Sequence, residues 1–214
     1  MNIDTLTFNM FGEHTYLLSD STGRCAIVDP GNSTPAEDEY LSRFIATKGY
    51  RPEAMWFTHL HLDHTFGSQY VADTYGLTPV AHAADLKLLA LTPKAVAAFG
   101  LPPMPAPAAV STFFADGDTI RFGRTELTVL HVPGHSAGCV ALYSAADGVC
   151  LCGDTVFRFS VGRTDMPGGN GRLLLQSIRA KLLTLPRTTR LLPGHGPETT
   201  VGDEMAFNPY LNAV

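Results

Sequence analysis

Between residues 59 and 64 the chain reads His59-Leu60-His61-Leu62-Asp63-His64, four metal-ligand side chains in six residues with leucine in the gaps. Ligand density of that order is rare by chance. It demands a scaffold in which rigid strands aim several loops at one rim. The apolar run Ala54–Thr58 feeds directly into His59, so the segment opens at the end of a strand. In an extended chain, residues two apart share a direction. His59 and His61 can then converge on one ion while Asp63 and His64 turn toward a second. Neutral imidazole and carboxylate suit Zn²⁺, and also Fe or Mn.

Three further donors have the same setting. His135 follows Val132-Pro133-Gly134, where Pro and Gly impose a tight turn after a strand. Asp154 ends the apolar run Cys150-Leu151-Cys152-Gly153, and His195 sits in Pro193-Gly194-His195-Gly196-Pro197. Alone, His135 is an ordinary turn histidine and Asp154 a turn or capping aspartate. Together the three supply the ligands that the first cluster lacks, and the two oxygens of Asp154 suit it to bridge two ions.

Around these motifs the chain alternates strand and helix signals. Ile3–Phe8, Thr15–Ser19 and Cys25–Asp29 read as strands, the last stopped by Asp29-Pro30-Gly31. Ala36–Lys48 carries Tyr40, Leu41, Phe44 and Ile45 at helical spacing and ends at Gly49; Phe66–Tyr75 reads as a helix closed by Gly76. Asp85–Phe99 is expected to be helical despite Pro93, and Gly100–Pro107, with four prolines, is expected to be an irregular loop. Strands return at Thr119–Phe122, Glu126–His131, Cys139–Ser144, Gly148–Cys152 and Thr189–Leu192. Helices are expected over Gly171–Leu185 and Thr200–Phe207. This order predicts an α+β fold, two mixed β-sheets packed together with helices outside, in one domain spanning residues 1–214. All seven donors are expected in loops just after strands.

The formal net charge is −5 and no run of Lys or Arg occurs, which argues against nucleic acid or an anionic membrane surface as partner. No apolar run approaches the ~20 residues that span a bilayer, and Met1–Phe8 alternates instead of forming a signal peptide. Cys25, Cys139, Cys150 and Cys152 are scattered without a Cys-x-x-Cys pair and read as buried thiols, which fits a cytoplasmic setting.

His-x-His-x-Asp-His followed by Gly-His, Gly-Asp and Gly-His resembles the metallo-β-lactamase fold superfamily, from Asp29-Pro30-Gly31 to Pro197. The resemblance implies a four-layered αββα sandwich. It implies one metal on His59, His61 and His135, a second on Asp63, His64 and His195, and Asp154 bridging them. The stretch Val161-Gly162-Arg163-Thr164-Asp165-Met166-Pro167-Gly168-Gly169-Asn170, with Asn208-Pro209-Tyr210-Leu211, is similar to short glyoxalase II-like (hydroxyacylglutathione hydrolase-like) enzymes. With only Gly196–Val214 after His195, the helical domain that supplies much of the glutathione site in the long enzymes is expected to be absent.

Two divalent ions lower the pKa of water from 15.7 to about 7, so a hydroxide held between them can attack a carbonyl near neutral pH. A thiolate leaves without needing a dedicated acid, which favours a small-molecule thioester such as S-lactoylglutathione. Asp63 is also a candidate to orient the attacking water. The alternatives are a mononuclear iron persulfide dioxygenase using His59, His135 and Asp154, a lactone, other ester or β-lactam hydrolase, and a binding domain stapled by metal. Asp29, Asp165, Thr58 and Thr155 are candidates to orient the imidazoles, and Arg163 to pair with an acidic neighbour. His14, His82 and His131 read as structural. Phe99–Met104 is either a flap over the site or a loop packed on the neighbouring helix.

Overall fold

A computed structural model describes residues 1–212. The chain divides into two compact units, Met1–Phe113 with Arg121–Glu126, and Phe114–Ile120 with Leu127–Val214.

The first unit is built on a six-stranded mixed sheet in the order β1 (Asn2–Phe8), β2 (Glu13–Ser19), β3 (Arg24–Val28), β4 (Arg51–Trp56), β5 (Pro79–His82) and β6 (Thr112–Phe114). β1, β2 and β3 pair antiparallel, whereas β3, β4 and β5 run parallel. The parallel part requires crossover helices. The first is α1 (Pro35–Lys48), which begins where the Thr34 side chain accepts the Glu37 N–H and ends at Gly49 in the left-handed region. Leu41 and Ile45 of α1 pack with Leu17, Ile27, Met55, Phe57 and Leu60 in a core of buried aliphatic and aromatic side chains.

The second crossover begins with α2 (Leu62–Thr65) and α3 (Ser68–Tyr75), where the sequence predicts one helix over 66–75 after an extended ligand segment. Gly67 divides them. Its N–H donates to the Pro30 carbonyl at 2.8 Å, and a Cβ there would overlap the Asn32 amide. The strands β5 and β6 escape the sequence reading because each is very short; β5 takes its strand identity from pairing with β4, not from a pattern of its own. Beyond β5, α4 (Leu86–Ala98) tolerates Pro93, as expected, and residues 100–107 form no regular element.

The second mixed sheet runs β7 (Thr119–Phe122), β8 (Thr125–His131), β9 (Val140–Ser144) and β10 (Val149–Gly153). A small hairpin, β11 (Val156–Phe157) with β12 (Ser160–Val161), leaves it, and β13 (Arg190–Pro193) and β14 (Thr199–Thr200) complete the sheet beyond β10. The predicted helix over 171–185 is α5 (Gly171–Ser177), capped by Asn170 accepting the Leu173 N–H, followed by a wider π-turn at Ile178–Leu182. α6 (Val201–Phe207) and α7 (Pro209–Asn212) close the described chain. All four cysteines are buried thiols, none of them in a disulfide.

Each unit contains a parallel strand pair that ends at candidate ligands, the place where open sheets present ligand-binding loops. In the first unit this is the β3–β4 pair, with Val28 opposite Trp56. In the second it is β10 and β13, with Gly153 opposite Pro193 across an irregularity in register. Asp29 and His59 follow the first pair; Asp154 and His195 follow the second.

Candidate metal centre

Within the first unit the ends of β3 and β4 are tied together by one carboxylate. Asp29, buried and held at φ 51°, accepts the Thr58 N–H at 2.7 Å and the Thr58 hydroxyl at 2.6 Å. Because that hydroxyl spends its proton on Asp29, its 3.2 Å contact with His59 must accept a proton from Nδ1. His64 Nδ1 lies 3.2 Å from the same Asp29 oxygen, Oδ2, and donates to it. Both imidazoles are thereby fixed with a lone pair on Nε2, the atom a metal would take.

His59 and His61 leave the strand extended, with ring centroids 4.8 Å apart, and the His64 ring stands 4.1 Å from that of His59. His61 is the last extended residue. Asp63 and His64 do not lie in a loop, as expected for all seven donors, but on the single turn of α2. That turn lets two consecutive residues project in different directions, and Asp63 Oδ2 ends 3.9 Å from His64 Nε2.

Two residues of this half were not anticipated from the sequence. Glu13, fully buried on β2, sits 3.8 Å from His64 Nδ1, beside Asp29. Burial pushes its carboxyl well above the usual range, and the neighbouring Asp29 and Asp63 add to this, with His64 opposing it. Asn9 occupies a left-handed turn position at φ 51° that asparagine tolerates. Its amide donates to the carbonyls of Gly31 at 2.9 Å and Asp63 at 3.0 Å, anchoring the start of α2 from behind.

Within the second unit, His135, Asp154 and His195 meet. The Gly194 N–H donates to the Gly153 carbonyl at 3.0 Å, extending the β10–β13 pairing so that the next residues emerge side by side. Asp154 Oδ2 lies 3.6 Å from His135 Nε2 and 3.6 Å from His195 Nε2. His135 Nδ1 donates to the Arg163 carbonyl at 2.8 Å, which again directs the lone pair to Nε2. Asp165, a candidate for that orienting role, instead grips the Arg163 guanidinium through two 2.7 Å hydrogen bonds, which hold its carboxyl down at about 2. The turn thus reaches the imidazole through its backbone. His14, His82 and His131 are engaged structurally, by Thr7, the Ala84 N–H and the Ala137 carbonyl.

These donor sets fit divalent metal. Three imidazoles are held by Nδ1 in the ligating tautomer. The spacing around Asp154 is close to the about 3.4 Å separating two donors on one tetrahedral ion with bonds of 2.0–2.1 Å. Asp29 and Asp63 add carboxylate around the first set, which cations would balance.

The turn behind Asp154 leaves no room for a side chain. A Cβ at Gly162 would overlap the Asp154 carbonyl oxygen and come within 3.2 Å of His135 Nδ1. Gly162→Ala is expected to cost about 3 kcal/mol and to lower metal content. Thermal melting with and without chelator, alongside elemental analysis, checks it; a wild-type melt and wild-type metal content would contradict the packing described.

Parallel-strand ends bearing histidines and aspartates define a metal-binding class of protein. The sequence profile of the Metallo-beta-lactamase superfamily matches residues 10–195, and the chain belongs to that superfamily. It is 31% identical over 214 residues to the hydroxyacylglutathione hydrolase GloC of Haemophilus influenzae, covering 100% of this chain and 99% of that one. Among solved structures it is similar to the BLEG-1 B3 metallo-beta-lactamase, with a TM-score of 0.91, 31% identity, and coverage of 99% of this chain and 100% of that one. It is also similar to TTHA1623 in a di-iron-bound form, with a TM-score of 0.88, 36% identity, and coverage of 97% and 100%. The two mixed sheets with flanking helices are those of the metallo-β-lactamase fold, and the chain is a metal-dependent hydrolase of that superfamily. No helix among the described residues is long and apolar enough to cross a membrane.

Proposed function

We propose that the protein is a cytoplasmic dinuclear hydrolase of small-molecule thioesters, with S-lactoylglutathione as the reference substrate. In this reading His59, His61 and His135 hold one ion, Asp63, His64 and His195 hold the other, and Asp154 bridges them; zinc is the first choice, iron or manganese the alternatives. The observation that carries the thioester is full-length likeness to a hydroxyacylglutathione hydrolase, 31% identical over 214 residues. When bound, the ions supply Lewis acidity, which polarises a carbonyl and brings the pKa of water to about 7.

The chain's own groups divide the remaining work. Asp29 and Thr58 hold the His59 and His64 rings in one tautomer, so that no proton must be displaced from Nε2 on ligation. Asp63, half-buried at the start of α2, orients the attacking water. The Arg163 carbonyl fixes His135. A thiolate departs without protonation by the protein, so the reaction needs no dedicated acid.

A second reading is supported by the 31% identity and 0.91 TM-score to a B3 metallo-beta-lactamase, namely hydrolysis of a β-lactam. One panel separates the two. The purified chain is expected to carry close to two metal equivalents and to cleave S-lactoylglutathione, with activity removed by chelator and restored by metal. Turnover of lactones or β-lactams while every thioester stays intact would sink the thioester assignment. One iron per chain with oxygen uptake on glutathione persulfide would replace it with a dioxygenase.

A further inference from the structure

Residues 99–107 do more than connect α4 to β6. Leu101 and Met104 pack with Val96 of α4 against Leu62 and Phe66, the residues flanking Asp63 and His64 on and after α2. The Phe99 ring meets Phe11 edge-on at 5.4 Å. The segment is therefore packed on the neighbouring helices, and a cleft of about 380 Å³ lies between it and α4.

The chemistry of that cleft selects its ligand. Pro93, Pro103, Pro105 and Pro107 are four of its lining residues, and proline has no N–H to offer. Thr92 contributes the wall's hydroxyl, which already donates to the Leu88 carbonyl at 3.4 Å within its own helix. A polar ligand entering here would lose water and meet no free side-chain partner, at a cost of ~1–3 kcal/mol per group left buried and unmatched. An apolar ligand loses nothing. A cavity of ~150 Å³ lined by aliphatic and aromatic side chains holds one benzene ring, so this cleft has room for an apolar arm of up to about ten carbons. Val96, Leu101 and Met104 line the cleft and also pack against α2. Whatever fills it lies one layer of side chains from the helix that carries Asp63 and His64.

We infer that the cleft between α4 and the proline-rich segment is the subsite for an apolar acyl arm, making medium-chain acyl thioesters, not only short hydroxyacyl ones, the substrate class. This rests on the thioesterase reading above. Filling the cleft rigidly also bears on α2, because its inner wall is the packing surface of Leu62 and Phe66.

The test is a series of saturated acyl thioesters of two to twelve carbons on one thiol, run on the wild type, Ala97→Trp and Ala106→Phe. Both alanines line the cleft and are exposed, so neither substitution removes core packing. For the wild type, kcat/KM is expected to climb about fourfold per methylene up to eight or ten carbons. In both variants the climb should stop near four carbons, with short-acyl turnover unchanged. A flat wild-type profile overturns the inference. So does a variant that keeps the wild-type slope, including one that changes only its oligomeric state. Calorimetric titration with decanoate gives a readout independent of turnover. Binding by the wild type with a negative heat-capacity change, weakened at least tenfold in Ala97→Trp, supports the subsite even if no thioester is cleaved, and absence of binding overturns it. Failure of every thioester with decanoate binding intact condemns the thioesterase reading and leaves the cleft as an apolar subsite for another substrate.

Discussion

The Asp154→Ala chain is expected to fold, to bind metal poorly and to lose hydrolysis by a factor on the order of 10³ or more. Asp154 stands at the carboxyl end of β10 with Oδ2 3.6 Å from the Nε2 atoms of both His135 and His195. In the proposed centre it is the one group shared by both ions. Removing it costs each ion a ligand and removes the negative charge that lets two cations sit close together. A ligand bound only by the native state stabilises by RT ln(1 + [L]/Kd), so metal-induced stabilisation should shrink with the affinity. In chelator, where no metal contributes, wild type and variant should melt together to within a few degrees. With saturating zinc, the wild type should rise and the variant should not. Elemental analysis and turnover on the same samples complete the test. Equal activity in the two chains would remove Asp154 from the bridging role and with it the proposed dinuclear arrangement.

Much of this centre was legible because its motifs are local. Four donors in six residues, and Gly-His, Gly-Asp and Gly-His each directly after an apolar run, require no knowledge of the fold to be noticed. What the sequence could not supply was the partnership between distant residues. Glu13 lies on β2 and reaches His64 only because β2 pairs with β3 and α2 follows β4. No periodicity marks a glutamate that opens a strand as a buried neighbour of an imidazole. Asn9 had a weak signal, an asparagine in a turn, but its hydrogen bonds to Gly31 and Asp63 depend on tertiary placement. The helix break at Gly67 is similar. A glycine between two helical patterns is readily passed over, whereas in the structure its N–H and its missing Cβ are both used, by Pro30 and Asn32. Short strands such as β5, β11 and β12 exist because a neighbour supplies their hydrogen bonds, so a pattern search over their own residues finds nothing.

Asp29 shows how far one residue outside the ligand set can govern it, and two substitutions there should have opposite signatures. The carboxylate accepts from the Thr58 N–H, the Thr58 hydroxyl and His64 Nδ1. Asp29→Ala leaves these buried donors without an acceptor and places alanine at φ 51°, a left-handed conformation that costs roughly 1–2 kcal/mol. With ~1–3 kcal/mol for each donor left buried and unmatched, the loss should approach about 5 kcal/mol, and the melt of the metal-free chain should fall accordingly. Asp29→Asn is different. Asparagine is at ease in the left-handed region, and its carbonyl oxygen can keep the Thr58 N–H, so the metal-free chain should lose little stability. Its NH₂ group, however, would stand where Oδ2 now accepts from both the Thr58 hydroxyl and His64 Nδ1; the hydroxyl can rotate to accept, the N–H of a ring cannot. A donor in that position selects the opposite tautomer, with the proton on Nε2, where the metal would bind. Metal affinity should then drop at least 10–100-fold, the scale of losses when an imidazole's outer partner is replaced. Chelator competition measures that affinity, and melting in excess chelator measures the fold. If Asp29→Asn binds metal as tightly as the wild type, tautomer control by Asp29 is wrong, whatever becomes of the alanine variant.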